Sequence, residues 1–306
     1  MKTPLITAIV STYNSERFIH GCLEDLVQQT IFKNIEVLII DSGSQQAEAA
    51  ICVPFADAHP NIRFVRTERE PLYATWNRAI AMAKGKYLTN ANVDDRHRCD
   101  AFERLADELD RAPEIALAYA DHLISHTENE TYNDCLTRAA QRRYWPPYTS
   151  DDLMLRCITG SQPMWRRSMH EQHGLFDTRY RIAADYELWM RFAQTGQFRH
   201  VAEPLGVFYD SPTTLSGANN RWQLDTETLN IKLAYLPKPP WCHSNNLRPS
   251  VAKALFSTGY WYIEHAKNPS KAKPFLKAAW KLDPFNPSLA KTYFLRGVLG
   301  STTRLG

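Results

Sequence analysis

Two adjacent carboxylates follow a short apolar stretch in the run Asn92-Val93-Asp94-Asp95. Adjacent carboxylates repel each other, and carboxylate oxygens are ligands that hard divalent cations prefer. We therefore expect Asp94 and Asp95 to bind Mn²⁺ or Mg²⁺, and a cation held there would neutralise a diphosphate. The alternative is structural, because acidic residues also cap the helix that follows and favour its dipole.

Two further aspartates allow both a chemical and a structural interpretation. Asp41 comes directly after an apolar stretch and before Gly43, so its carboxylate can accept hydrogen bonds from a base N–H or from ribose hydroxyls. Aspartate and glycine are also ordinary turn residues. Asp185 stands at the start of a helical pattern among apolar neighbours, where it is a candidate general base or, alternatively, an N-cap.

The signatures of several large enzyme classes are missing from the sequence. There is no GxxxxGK[ST], no GxGxxG and no GxSxG, which argues against P-loop NTPases, dinucleotide dehydrogenases and α/β-hydrolases. The pairs His122 with His126 and His170 with His173 have helical ligand spacing. No third ligand accompanies either pair, so a zinc site is not expected.

Short apolar strands alternate with amphipathic helices along the first part of the chain. The patterns predict strands at 5–10, 36–40, 61–66, 86–90 and 115–119, and helices after 14, at 73–84, at 100–111 and at 185–195. Asn14 is expected to cap the first helix, and the polar stretch 127–150 is expected to be a long loop able to cover a site. This order predicts a largely parallel sheet flanked by helices, in which ligands bind beyond the carboxyl ends of the strands. The acidic residues Asp41, Asp94 and Asp95 fall at such ends.

Composition limits the classes to which the chain can belong. Its 306 residues are 44% hydrophobic and 23% charged, which is typical of a globular protein with a full core. The longest apolar run, 115–120, is far short of the roughly 20 residues that span a bilayer, so neither export nor membrane insertion is expected. Six scattered cysteines without CxxC spacing predict reduced thiols and a cytoplasmic protein.

Charge divides the chain into two parts. Residues 1–237 carry 25 basic and 31 acidic side chains, a net charge of −6, whereas residues 238–306 carry 11 and 2, a net charge of +9. We therefore predict an α/β domain over 1–237 and a basic helical region over 238–306. Within that region, proline follows asparagine at 268–269 and 286–287, which predicts helix starts, and 254–284 loosely resembles one tetratricopeptide unit.

The basic region has three interpretations from sequence alone. It predicts a docking surface for anionic lipid headgroups or for a lipid-diphosphate acceptor at the membrane surface. A protein-partner or homodimer surface is the second interpretation, and a solvated helical face is the third. Nucleic acid is not expected as a partner, because no recognition motif accompanies the charge.

Five motifs occur in a fixed order within residues 4–210. They are the runs 9–14 (IVSTYN), 39–44 (IIDSGS), 77–85 (NRAIAMAKG), 92–95 (NVDD), and 174–177 (GLFD) with 185–191 (DYELWMR). Together they resemble family 2 glycosyltransferases. The resemblance implies a GT-A fold, that is, a Rossmann-like and mostly parallel sheet flanked by helices, here with a small α-helical C-terminal region. It also implies a direct displacement that inverts the anomeric centre of a nucleotide sugar.

The resemblance also implies a role for particular residues. It places the nucleotide-sugar contacts at Thr12, Tyr13, Asn14, Asp41, Asn77 and Asp94, the divalent metal at Asp95 and Asp94, and the catalytic base at Asp185. Arg78, Arg96 and Arg98 are candidates to meet phosphate charge, although at least two of them are expected to be solvated surface arginines. On the acceptor side we expect Ser161, Gln162 and Trp165, with the aromatic loop 145–148, although core packing accounts equally well for Trp165.

The chain departs from the family pattern at two positions. Ala184 stands where a glutamate usually precedes the base, so any role of that glutamate is lost or moved to Glu187, and Ala74 stands where relatives often carry aspartate. The alternative to an enzyme is therefore a degenerate GT-A-fold binding or scaffold protein without transferase activity. QxxRW and membrane helices, which are typical of processive polymerases, are missing.

The expected function is the transfer of a single sugar to a glycan or lipid-linked acceptor in bacterial surface polysaccharide or glycoconjugate synthesis. The expected location is the cytoplasm, with peripheral contact at the inner face of the cell membrane.

Overall fold

A computed structural model of the protein describes residues 3–211, 214–215 and 217–298. The chain forms two compact units. The first comprises Met1–Tyr148 and Ile158–Gly217, and the second comprises Thr149–Cys157 and Ala218–Gly306. The chain passes from the first unit to the second after Gly217, and the segment 149–157 also belongs to the second unit. A domain boundary near residue 237 stays a prediction.

Within the described residues, nine strands of the first unit form one mixed sheet. They are β1 (Ile6–Thr12), β2 (Ile35–Ser42), β3 (Ile62–Thr67), β4 (Tyr87–Asn90), β5 (Arg96–His97), β6 (Ile115–Ser125), β7 (Arg142–Arg143), β8 (Met164–Arg166) and β9 (Gln197–Tyr209). Their order across the sheet is β3-β2-β1-β4-β8-β6-β9-β5, and β7 pairs with β6.

The strands that carry the predicted motifs run parallel. β3, β2, β1 and β4 are parallel neighbours, and β9 is parallel to β6, whereas β8 runs antiparallel between β4 and β6. Thr12 pairs with Asp41 and Ile9 with Asn90, so the carboxyl ends of β1, β2 and β4 meet at one edge. The predicted α/β fold with a mostly parallel sheet is confirmed.

Seven helices of the described first unit flank this sheet or follow its strands. They are α1 (Glu16–Val27), α2 (Glu48–Ala58), α3 (Leu72–Met82), α4 (Ala101–Arg111), α5 (Tyr132–Thr137), α7 (Met169–His173) and α8 (Ala184–Phe192). The apolar residues of α1 recur at helical spacing, so Ile19, Leu23 and Leu26 are buried against the strands. Phe102 of α4 belongs to the same core.

Two local predictions were wrong. Ser15, not Asn14, is the N-cap of α1. Asn14 has a φ of +51°, and its side-chain oxygen accepts the N–H of Gln45 in the loop after β2. Asparagine tolerates this left-handed conformation better than most residues. The region predicted as a loop over 127–150 contains α5 and β7, because Thr131 and Asp134 form a capping box that starts α5.

The described part of the second unit is helical. It contains α6 (Ser150–Leu155), α9 (Arg221–Tyr235), α10 (Leu247–Glu264), α11 (Pro269–Leu282) and α12 (Pro287–Thr292). The side chains of Asn268 and Asn286 cap α11 and α12, so both predicted helix starts are confirmed. α10 and α11 pack closely at Gly259, where an added Cβ would lie 2.9 Å from Leu276.

Two further observations concern the chemistry of the whole chain. All six cysteines are free thiols. Among the helices of the described residues, none combines the length and the apolar character that a membrane crossing requires.

Candidate active site

The carboxyl ends of β1 and β2 hold two buried oxygens that make no hydrogen bond within the described residues. They are Oγ1 of Thr12 and Oδ2 of Asp41, which belong to paired residues of the two strands. Oδ1 of Asp41 accepts the N–H of Ser44 at 2.9 Å, and Arg66 Nε lies 3.6 Å from Oδ2. Since unsatisfied buried oxygens are costly, this place favours a ligand that forms hydrogen bonds.

An exposed aromatic ring lies beside this edge. Tyr13 is the residue after β1, and the guanidinium carbon of Arg69 lies 3.6 Å from the centroid of its ring. Arg69 also donates to the hydroxyl of Ser42 at 3.2 Å. This cation and ring favour a planar or anionic ligand group. No motif marks the residue that follows β3 and its turn, so Arg69 could not be predicted from the sequence.

The loop after β1 is hydrogen-bonded to the loop after β2. The N–H of Asn14 donates to Ser44 Oγ at 3.1 Å, and Oδ1 of Asn14 accepts the N–H of Gln45 at 2.8 Å. Fully buried Glu48 accepts the N–H of Ser15 with Oε1 at 2.5 Å. Its Oε2 makes no hydrogen bond in the described part of the chain. Glu48 was not predicted, and it fixes the two loops relative to each other.

The predicted metal-binding pair lies beyond the end of β4. Asp95 is only 1% exposed, and it accepts the N–H of Tyr209 at 3.1 Å and the amide of Asn92 at 3.0 Å. Burial, and then the negative charge of Asp94, raise the pKa of Asp95 to about 8. Burial also raises the pKa of Asp94. Two carboxylates in such surroundings favour a bound cation, which would offset their repulsion.

Ser161 lies against the end of β4 and the loop that carries the acidic pair. Its carbonyl oxygen accepts the side-chain amides of Asn90 at 2.8 Å and Asn92 at 3.3 Å. Its Oγ is buried and lies close enough to the carboxylate of Asp95 to stabilise the charged form of that group. Asp94, Asp95 and this hydroxyl offer hard oxygen donors, and such a set fits Mg²⁺ or Mn²⁺.

A complete protein ligand set does not occur here. Among the described residues, no three His, Cys, Asp or Glu side chains gather closely enough to hold a metal ion. Mg²⁺ is commonly bound by one or two carboxylates together with water and substrate phosphates, and the acidic pair fits that pattern.

Asp185 is the second residue of α8 and is half-buried. Its Oδ1 accepts the N–H of Tyr186 at 2.7 Å and lies 3.2 Å from the hydroxyl of Tyr73. That hydroxyl also lies 2.6 Å from the carbonyl oxygen of Ile182. The first turn of a helix favours a negative charge, so the carboxylate is well placed to act as a proton acceptor.

α3 connects Asp185 with the end of β1. Tyr73 packs edge-on against Trp76 at 5.3 Å between ring centroids, and the indole N–H of Trp76 donates to Ser11 Oγ at 3.0 Å. Asn77 holds the backbone of Phe176 with both its amide nitrogen and its oxygen, each at 2.9 Å, and its expected contact with the nucleotide sugar stays a prediction. The amide therefore positions a neighbouring loop.

The three arginines expected to meet phosphate are each bound to carboxylates. Their partners are Glu70 for Arg78, Asp25 for Arg96, and Asp100 with Glu203 for Arg98. Each positive charge is therefore offset within the protein, and a phosphate role for these arginines stays a prediction.

The predicted acceptor residues lie in different surroundings. Trp165 is fully buried, donates to His170 Nε2 at 2.9 Å and packs against Trp189, so it is a core residue rather than a binding surface. Gln162 is half-buried and donates to the carbonyl oxygen of Arg96 at 3.2 Å.

The position before the proposed base is also clarified. Ala184 is fully buried, and buried Glu187 forms an ion pair with Arg191 at 2.7 Å on the same helix. Its charge is therefore offset on the helix, and a role for Glu187 in place of the glutamate that the family usually carries before the base stays a prediction.

Comparisons with known proteins agree with this geometry. The sequence model described as Glycosyl transferase family 2 matches residues 7–172, more than half of the chain. Chondroitin synthase from Escherichia coli is 24% identical over 200 residues, which cover 65% of this chain and 28% of that protein. This chain spans only 20% to 28% of the length of the curated chondroitin and hyaluronan synthases that it matches.

Solved structures share the fold. TarS 1-349 from S. aureus in complex with UDP-GlcNAc has a TM-score of 0.69 at 14% identity, covering 99% of this chain and 94% of that chain. The mannosyltransferase PcManGT from Pyrobaculum calidifontis, in complex with GDP-Man and Mn²⁺, has a TM-score of 0.58 at 18% identity, covering 98% and 89%. The family match and the shared GT-A fold show that this chain belongs to glycosyl transferase family 2.

Proposed function

We propose that this chain is an inverting, metal-dependent glycosyltransferase that moves a single sugar from a nucleotide-sugar donor to a hydroxyl of a glycan or lipid-linked acceptor. The pathway would be the synthesis of a bacterial surface polysaccharide or glycoconjugate. One observation carries the proposal: the unsatisfied buried oxygens of Thr12 and Asp41 and the acidic pair of half-buried Asp94 and buried Asp95 lie at the same edge of the sheet. Membership in the family supports it.

The donor nucleotide would bind at the ends of β1 and β2. Asp41 Oδ2 would accept a base N–H or a ribose hydroxyl, and Thr12 Oγ1 would donate to or accept from the same group. Tyr13 would pack against the nucleotide, and Asn14 would hold its loop through Ser44 and Gln45. TarS was solved in complex with UDP-GlcNAc and PcManGT in complex with GDP-Man, which supports a nucleotide sugar as the donor class.

Asp95 and Asp94 would hold a divalent cation, Mn²⁺ or Mg²⁺. When bound, such a cation supplies charge that stabilises the departing nucleoside diphosphate. The hydrogen bonds from Asn92 and the Tyr209 N–H orient the carboxylate of Asp95. PcManGT was solved in complex with Mn²⁺, which supports a divalent metal as the cofactor.

Asp185 would act as the general base. It would take the proton of the acceptor hydroxyl while that oxygen attacks the anomeric carbon, and the bond from this carbon to the diphosphate oxygen breaks on the opposite face. A positioned base of this kind contributes about 10²- to 10⁴-fold in rate. Tyr73 and the Tyr186 N–H would hold the carboxylate in place.

The acceptor would lie near Ser161 and Gln162, because Ser161 contacts the loop of the acidic pair. We further propose a cytoplasmic protein that meets the inner face of the membrane through its basic C-terminal region. A homodimer stays a prediction from the sequence.

A donor panel tests the transferase proposal. UDP-, GDP- and dTDP-sugars are incubated with the full chain, with and without Mn²⁺, and released nucleotide is measured. We expect release from one nucleotide class, stimulated by Mn²⁺, and weaker metal-dependent nucleotide binding in Asp95→Ala. Nucleotide binding without release from any donor would instead favour the scaffold alternative, and identical titrations with and without Mn²⁺ would refute the metal assignment.

A further inference from the structure

α11 has one buried face and one basic face. Ala272, Phe275, Leu276 and Ala279 are buried within the second unit, so the apolar side of the helix is already covered. Lys273, Lys277 and Lys281 are exposed and recur every four residues, which places them on one side of the helix. We call these three residues the basic stripe.

The charge of the basic stripe is not offset by ion pairs within the described residues. None of its lysines lies within ion-pair distance of a carboxylate there, and residues 238–306 contain only two acidic side chains, Glu264 and Asp283. Lys267 and Lys291 are exposed on either side of the stripe in sequence. The basic stripe is thus an unpaired cationic helix face of the kind that attracts anionic lipid, with two more exposed lysines near it in sequence.

A phenylalanine protrudes from the turn that follows α11. Phe285 is 96% exposed and lies four residues after Lys281, between α11 and α12. Exposure of an aromatic ring to water is unfavourable, and its transfer into the apolar boundary of a bilayer is favourable. Stable membrane attachment usually needs two signals, such as one apolar anchor and one basic patch.

We propose that the basic stripe and Phe285 dock the second unit on an anionic lipid surface. The lysines would bind the lipid phosphates, and the ring of Phe285 would enter the headgroup boundary. A single-stranded nucleic acid would also satisfy the charge, but proteins that bind it combine a basic groove with several aromatic rings on which successive bases stack. Among the described residues 267–291, Phe285 is the only exposed aromatic side chain, which favours the lipid surface. This inference deepens the proposed membrane contact, and it is independent of the transfer chemistry.

Vesicle co-sedimentation of the full chain tests the docking. The vesicles are phosphatidylcholine alone, or phosphatidylcholine with phosphatidylglycerol, at low and at high salt. We expect binding only to the vesicles with phosphatidylglycerol, weakened at high salt because counterions screen the lysines. Equal binding to both kinds of vesicle, or no binding to anionic vesicles at low salt, overturns the proposal.

Variants assign the binding to particular residues. Lys277→Gln with Lys281→Gln should weaken binding about 25-fold, at about fivefold for each lysine. The matched control, Lys33→Gln with Lys84→Gln, removes the same charge from exposed lysines of the first unit and should change binding less than about threefold. Phe285→Ser should weaken binding about tenfold at every salt concentration, because it removes apolar contact. If Lys33→Gln with Lys84→Gln weakened vesicle binding as much as Lys277→Gln with Lys281→Gln, the assignment to the basic stripe would be contradicted.

The same samples separate this inference from the transferase proposal. Nucleotide release from a soluble donor is measured without vesicles and should be the same in the wild type and in all three variants. Vesicle binding without any release would refute only the transfer activity. Release without salt-sensitive vesicle binding would refute only the docking.

Discussion

The hydroxyl of Tyr73 lies 3.2 Å from Oδ1 of Asp185, although the two residues are 112 positions apart in the chain. The same hydroxyl lies 2.6 Å from the carbonyl oxygen of Ile182, so its single proton is shared by two acceptors. Tyr73 thus orients the carboxylate at the start of α8 from the first turn of α3.

This contact predicts the effect of Tyr73→Phe. The variant keeps the ring and its packing against Trp76 but loses the hydroxyl. We expect kcat to fall about tenfold while the donor KM stays the same. The free energy of unfolding should fall by about 1 kcal/mol. Steady-state kinetics and urea unfolding measure the two effects. Tyr144→Phe, at an exposed tyrosine, is the control, and an unchanged kcat in Tyr73→Phe would argue against a positioning role.

Glu48 should influence donor binding rather than chemistry. Glu48→Ala leaves the Ser15 N–H without its acceptor and loosens the loop that carries Tyr13 and Asn14. We expect the donor KM to rise about tenfold with kcat within about twofold, and Glu48→Gln, which keeps an acceptor, to have a smaller effect. The matched control is exposed Glu68→Ala. A loss of kcat at constant KM would contradict this account.

The ion pair of Asp25 with Arg96 should dominate the stability of the segment after the acidic pair. Arg96 is 6% exposed, and its Nε and Nη2 both lie 2.7 Å from the carboxylate oxygens of Asp25. Because Asp25→Ala leaves a buried charge without its partner, we expect a loss of about 3 to 5 kcal/mol in unfolding free energy. The double variant Asp25→Leu with Arg96→Met should recover much of the lost unfolding free energy, because it leaves no unpaired buried charge.

An exposed ion pair provides the comparison for that measurement. Asp177 pairs with Arg179, whose side chain is 87% exposed, and Asp177→Ala should cost less than about 1 kcal/mol. Urea unfolding measures all of these variants. If Asp25→Ala cost no more than Asp177→Ala, the buried pair would not have the importance assigned to it.

His122 should make the fold sensitive to acid. Burial, and then the charge of Arg143, lower the pKa of His122 from 6.5 to about 4. The unfolded chain therefore binds a proton below about pH 6.5 that the folded chain does not, and stability falls as the pH drops from there toward 4. From pH 7 to 4.5 the loss should be about 2 to 3 kcal/mol for this residue.

The measurement is urea unfolding at pH 7 and 4.5. His122→Gln should lose less stability than the wild type between these pH values, whereas the exposed control His243→Gln should behave like the wild type. If the wild type and His122→Gln lost the same unfolding free energy between pH 7 and 4.5, the acid sensitivity would arise from other residues.

Much of the fold could be predicted because its determinants are local. Apolar runs of strand length and helical spacing around residues such as Ile9, Ile39 and Leu23 indicate the alternating elements, and strand order then places Asp41 and Asp95 at the same edge. Asn268 and Asn286, each before a proline, mark helix starts that the structure confirms.

The remaining site residues depend on contacts between distant parts of the chain. Glu48 and Tyr73 have roles only because Ser15 and Asp185 lie beside them in space. Residue type likewise does not report burial, and for that reason Trp165 was a candidate for sugar stacking although it packs in the core.

The central claim is that Asp185 is the base of a sugar transfer. Asp185→Asn keeps the size of the side chain and an oxygen for the Tyr186 N–H but removes the proton acceptor. With the donor identified by the panel, we expect nucleotide release to fall at least about 100-fold while donor affinity stays within about twofold. Asp177→Asn is the matched control. Turnover of Asp185→Asn near the wild-type rate would contradict the account.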